Sequence, residues 1–256
     1  MQLAERIDRF DARAVEVFVR VLGVALVADV ATELYAGVWR VHAGELYPWR
    51  HLGLLPLYPP GVLALEWALR ASAGVALAVA AHRVHLLRRA VRVVAPVLFV
   101  ALLERYSNHG VLLFLVALFL SMAPPDVRAP SFDAAPHPAL GLVRAQLVIV
   151  YVFSALNKAV HGFGRGESLA NLAAHTPLGS VALSASGARA LSWGVMALEL
   201  AVPLVLLRWP RAGLVLVVVV HVAFAALVPG VVSFGITMIA LACLFQRAPR
   251  SRGSSD

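Results

Sequence analysis

Long apolar runs alternate with short arginine-bearing stretches from one end of this 256-residue chain to the other. The apolar segments fall near residues 14–36, 61–81, 91–106, 110–123, 139–160, 189–207, 212–229 and 233–246. Runs of this length read as helices, and about 20 apolar residues in helical form cross a hydrocarbon core. The pattern therefore predicts an all-α, polytopic integral membrane bundle of about eight transmembrane helices, since lipid tolerates no open sheet edge. The third and fourth segments are short. Two spans or one re-entrant hairpin would both return the chain to its starting side, so the topology count is the same either way. One transmembrane domain over residues 1–247 is expected, with a disordered tail at 248–256 and a flexible Pro-rich loop in "APPDVRAPSFDAAPHPAL".

Composition strengthens this picture. Hydrophobic residues make up 61% of the chain and mean hydropathy is +0.82, more than a soluble surface could hide. The single cysteine, Cys243, excludes an internal disulfide and a cysteine metal cage. The opening "MQLAERIDRFDARAVEVF" alternates charges and shows no small-residue cleavage site, so no removed signal peptide is expected. The net charge of +8 suggests nucleic-acid binding only until the arginines are located. They lie between the apolar segments and form no stripe with interleaved aromatics.

That charge is read instead as topology. One side would hold Arg6, Arg9, Arg13, Arg83, Arg88, Arg89, Arg92, Arg128, Arg208, Arg211, Arg247, Arg250 and Arg252; the other holds Arg40, Arg50, Arg105, Arg165 and Arg189. The positive-inside rule makes the first side and both termini cytoplasmic. The expected location is a bacterial inner membrane, with the Lys158 end of its helix, Asn108 and His109 toward the outer face.

Ionisable groups inside spans are costly unless paired, wetted or used. Glu66 and Arg70, four apart, are expected to neutralise each other along one helix face. Arg20 is expected to snorkel, Glu104 and Arg105 flank a turn, and Asp29 and Glu199 are expected to pair with an arginine of another span. Lys158 stands out as the one lysine among 22 basic residues. Arg144, Tyr151 and Lys158 are spaced seven and seven, which with Ser154 makes a polar stripe on an oily helix. A desolvated amine can act as a general base where a guanidinium cannot, although snorkelling to the headgroups would also account for its position. His221 interrupts a long apolar run. No histidine pair has the spacing and carboxylate company of a metal site, so no metal is expected. "GFGRG" follows a helix instead of opening one, which is the wrong context for a phosphate loop.

"RAQLVIVYVFSALNKAVHGFGRG" resembles a segment of the vitamin K-dependent gamma-carboxylases and their bacterial relatives, the HTTM (horizontally transferred transmembrane domain) proteins. Arg144, Gln146, Tyr151, Lys158 and Gly166 fill the places of that segment. The likeness extends to "SNHG", to "LELAVPLVLL" with Glu199 and Pro203, and to "VVVVHVAFAALVPGVVSFGITMIALACLF" with His221 and Phe234. "VFVRVLGVALVADV" followed by "ELYPWRHLGLLP" resembles the family's start. Asn157 stands where the carboxylases carry a second lysine. The resemblance is to a short member without their extracytoplasmic domain.

The resemblance implies an enzyme in which Lys158 deprotonates a reduced quinone of the vitamin K hydroquinone or menaquinol type. O2 then adds, and a secreted peptide is deprotonated or carboxylated with CO2. It implies catalytic roles for Lys158, His109 and Asn108, and substrate contacts from Tyr151, Arg144, Gln146, His221 and Glu199. The lipid bilayer, the quinol and a secreted peptide are the expected partners. The same resemblance admits a non-redox HTTM factor that binds or matures a secreted peptide. A quinone-binding subunit comparable to DoxX-type proteins is the other alternative.

Overall fold

Helix starts are written into the sequence. The Asp11 carboxylate accepts from the Ala14 N–H at 2.9 Å and the Ser184 hydroxyl accepts from the Gly187 N–H at 3.1 Å, each meeting a donor that a helix start leaves unpaired. Pro60, Pro138 and Pro210 open three further helices, where a missing N–H costs nothing. The computed structural model describes residues 10–42, 59–81, 83–104, 107–122, 137–174, 184–227 and 231–246. Among them lie α1 (Ala12–Tyr35), α2 (Val38–His42), α3 (Pro60–Ala80), α4 (Val84–Glu104), α5 (Asn108–Met122), α6 (Pro138–Val160), α7 (Glu167–Ala174), α8 (Ala185–Arg208), α9 (Pro210–Leu227) and α10 (Val232–Cys243). A single 3-10 turn, Phe163–Arg165, joins α6 to α7, and the described residues contain no strand. Arg105, the Pro-rich loop, the "ELYPWRHLGLLP" segment and the tail lie outside the described residues.

Among the described residues each of the eight apolar segments overlaps one helix, with one difference. The third segment was expected to be short, with Arg88, Arg89 and Arg92 in the loop before it. Instead α4 runs 21 residues, about 31 Å at 1.5 Å per residue, and includes all three. The reason is helical spacing: Leu87, Ala90, Val91, Val94, Ala95 and Leu98 are buried while those arginines face outward, and arginine is a good helix former. The fourth segment, α5, is short at 15 residues.

Three helices, α3, α6 and α8, are long and apolar enough to cross a membrane, and α5, α9 and α10 are shorter apolar helices. The outer surface is oily as well as the core. Leu65, Phe153, Leu204 and Val215 are 59–70% exposed, which suits lipid contact and not water. This is a helical bundle of an integral membrane protein.

The bundle closes around α10, which packs on α1, α9 and α6 and is buried along most of its length. Helix α1 lies between α10 and α3. Its crossing with α3 is backbone on backbone: a Cβ on Gly23 would stand 2.4 Å from the Gly74 carbonyl oxygen, and one on Gly74 2.7 Å from that of Gly23. Such small-residue contacts let membrane helices approach closely.

The same pair is tied by charge. Arg70, 2% exposed, reaches Asp29 at 2.6 Å and both Glu33 and Glu66 at 2.7 Å, and the Trp67 indole donates to Glu33 at 2.6 Å. The Glu66–Arg70 pair is as expected, and Asp29 does find an arginine of another span. Arg20 does more than snorkel: it pairs with Glu16 at 2.7 Å and donates to the Ala78 carbonyl at 3.0 Å, so it bridges α1 to α3. The antiparallel contacts of Arg20 with Ala78 and of Gly23 with Gly74 put Arg13 at the same end of the bundle as Arg83 and the start of α4 with Arg88, Arg89 and Arg92. Arg144 bonded to the Leu244 carbonyl and Gln246 to that of Pro210 at 2.8 Å bring Arg208 and Arg211 to the same end. Trp39, Lys158, Arg165 and Arg189 face the other.

Candidate functional site

The polar stripe of α6 points into the bundle. Tyr151 is 3% exposed, and Ser154 and Lys158 follow on the same face, so three of the four stripe residues line one wall of a cavity. The Lys158 amine is not solitary. Its Nζ stands 2.5 Å from Glu199 Oε1 and 2.5 Å from Ser154 Oγ, and the Ser154 hydroxyl donates to the same carboxylate oxygen at 3.0 Å. Glu199 was expected to meet an arginine. Its partner is instead the lysine at the end of the neighbouring helix, whose side chain leans back along α6 toward Ser154.

About two helical turns before Lys158, the Tyr151 hydroxyl lies 2.8 Å from His221 Nε2 on α9. Gly235 on α10 makes room for that histidine: a Cβ there would lie 3.2 Å from His221 Cβ. The two polar pairs line a cavity of about 200 Å³ whose remaining walls include Val150, Val220, Phe224, Phe234 and Met238. The Phe163 ring stands 5.8 Å from Lys158 Nζ. Its turn is flanked by Gly162 and Gly166, with φ of 76° and 89°. Gly166 is doubly required, because a Cβ there would meet Arg189 N at 2.6 Å in addition to the left-handed backbone.

His109 belongs to a second polar cluster, on the far side of Phe234. The Phe234 ring makes edge contacts with both imidazoles, 6.0 Å from His109 and 5.6 Å from His221. His109 Nδ1 lies 3.1 Å from Asp29 and 3.3 Å from Ser233 Oγ, while Nε2 lies 3.2 Å from Thr237 Oγ1. This hydroxyl–imidazole–carboxylate line invites a nucleophilic reading, but Thr237 is fully buried and donates to the Ser233 carbonyl at 2.9 Å. The cluster instead joins His109 to Arg70 through Asp29, so α1, α3, α5 and α10 share one polar network.

The expected site residues thus divide into groups. Lys158, Glu199, Tyr151 and His221 come together in one cavity, and His109 approaches it across Phe234. Asn108 is exposed at the first position of α5. Arg144 and Gln146 do not line the cavity. Arg144 sits 14 residues before Lys158, about 21 Å along the helix, and its guanidinium stacks 4.1 Å from the Phe10 ring and 5.1 Å from that of Phe245, tying the start of α6 to the end of α10. The roles of Asp29, Ser233 and Thr237 around His109 were missed. The spacing of Ser233 and Thr237, four apart in an oily run, is the signal that could have found that pair. Among the described residues, no group of three or more His, Cys, Asp or Glu could hold a metal.

Compared with known families, the chain matches the model described as HTTM domain over residues 8–249. Among curated proteins and among solved structures, none matches.

Proposed function

The chain belongs to the HTTM family, and from that premise we propose that its cavity binds the ring of a reduced quinone and that the Lys158–Glu199 pair takes the ring hydroxyl's proton, opening oxidation by O2. The observation that carries the reading is the pairing of that half-buried lysine with a buried carboxylate at 2.5 Å on the wall of a largely apolar cavity. Ionisable groups at membrane depth mark function unless structure alone demands them. Like the Arg70 cluster, this pair joins two helices, α6 and α8, but it does so on the wall of the cavity.

The residues present fit such a ligand. A dry cavity of about 150 Å³ accepts benzene, so the 200 Å³ here suits one substituted aromatic ring, with an apolar tail left to the lipid. Phe224, Phe234, Val220 and Met238 offer aromatic and aliphatic contact to its faces. A quinol supplies, when bound, a dissociable hydroxyl and two reducing electrons. The Lys158–Glu199 pair, with Ser154 bridging it, holds the proton taken from one hydroxyl. The Tyr151–His221 pair, seven residues earlier on α6, offers a donor and an acceptor to the ring's other edge. The largely apolar lining gives these charges a setting of lower dielectric than solvent, where each acts more strongly.

The described residues present nothing that selects carbon dioxide or a peptide glutamate, so the reaction proposed is the quinol step alone. It is tested by O2-dependent oxidation of a menaquinol-type substrate by purified protein in nanodiscs. Turnover above that of empty nanodiscs supports the reading, and its absence across prenylated naphthoquinols and benzoquinols refutes it.

A further inference from the structure

The hydrogen bonds around Lys158 allow the donors to be counted. The Ser154 hydroxyl gives its one proton to Glu199 Oε1 at 3.0 Å. Ser154 Oγ can therefore only accept from Lys158 Nζ, 2.5 Å away. Nζ also donates to Glu199 Oε1 at 2.5 Å, so in this arrangement the amine acts as a donor toward both neighbours and Oε1 receives two hydrogen bonds. The other carboxylate oxygen, Oε2, is buried and has no hydrogen-bond partner among the described residues. Its residue, 8% exposed, lines the cavity. A buried acceptor left unpaired needs an explanation, and an acceptor role toward a bound ligand supplies one.

Charge favours the same assignment. An ammonium beside a carboxylate leaves the cavity neutral, whereas a neutral amine beside an ionised Glu199 would leave an uncompensated buried charge. We propose that Glu199 Oε2 is the atom that takes the proton from the ligand's hydroxyl, and that Lys158 is the cation that holds the anion left behind. The inference rests on the quinol reading and assigns the proton within it. In the step, the ligand's O–H bond breaks with its electron pair staying on the ligand oxygen, and a new O–H bond forms at Oε2. The cavity is neutral before and after: one ammonium and one carboxylate become one ammonium, one carboxylic acid and one phenolate-type anion. No electron is transferred in this step.

Two substitutions and one spectroscopic measurement separate this assignment from a lysine base. In nanodiscs, Glu199→Gln keeps the size and one acceptor of the side chain but removes its basicity, and quinol oxidation should fall about 100-fold or more. Lys158→Arg keeps the cation and should retain activity within about tenfold, since arginine can hold an anion but cannot accept a proton. Infrared difference spectra of anaerobic wild-type protein, with and without a menaquinol-type quinol, should gain a protonated-carboxyl band that moves on ¹³C-labelling of glutamate. This measurement needs no variant to fold. Activity retained in Glu199→Gln and lost in Lys158→Arg would overturn the assignment and return the base to Lys158. Absence of a glutamate-derived band in wild type that demonstrably binds the quinol would overturn it as well. Wild-type protein that neither binds nor oxidises quinol would remove the reading on which it rests.

Discussion

Lys158→Ala should lose at least about 100-fold in quinol oxidation, the lower end of what positioned proton transfer contributes. The substitution removes the only cation among the described residues that line the cavity and leaves Glu199 without its ion-pair partner. The buried carboxylate would lose its charge partner, and the anion formed on the ligand would lose its counter-charge. Steady-state rates in nanodiscs, with the melting transition of the variant as a check on folding, decide the matter. A variant that melts like wild type and turns over within a few-fold of it would show that Lys158 only anchors the helix end.

The largest effect on stability is expected elsewhere, at Arg70→Met. Methionine fills similar volume but takes the guanidinium away from Asp29, Glu33 and Glu66, all within 2.7 Å of it. Breaking one buried ion pair by removing a partner costs about 3–5 kcal/mol, and here three carboxylates lose one partner. Loss of monodisperse protein in detergent, or a melting transition far below that of wild type, is the expected outcome. Arg70→Lys should fall between the two, because an ammonium cannot present the planar fork that serves Asp29 and Glu33 through different nitrogens. Wild-type-like melting of Arg70→Met would mean that the α1–α3 crossing is held by Gly23 and Gly74 without help from charge.

These two sites show what the sequence makes legible and what it hides. Helix existence was plain, because long apolar runs have few alternatives, and the Glu66–Arg70 pair could be read from a spacing of four. The inward stripe of α6 was equally readable from Tyr151 and Lys158. The partner of a buried charge on a different helix is another matter. Asp29 and Glu199 each visibly needed one, yet nothing local distinguishes Arg70 as the partner of the first from Lys158 as the partner of the second. Those choices are made by helix packing across 41 residues of chain in each case. His109 shows the same limit, since its contacts with Asp29, Ser233 and Thr237 join three helices. The start of α4 was hidden for a different reason: arginines were read as loop because they were charged, when their spacing against Leu87, Val91 and Val94 made them the outer face of a helix.

The central claim is that the cavity between α6, α8, α9 and α10 takes a quinol ring, and equilibrium binding tests it most directly. Anaerobic protein in nanodiscs, titrated with a menaquinol-type quinol, should bind it saturably at one site. Val220→Trp, which fills the cavity from the α9 side, should abolish that binding while leaving the melting transition of the ligand-free protein near that of wild type. Binding that is absent in wild type, or that survives unchanged in folded Val220→Trp, would contradict the account.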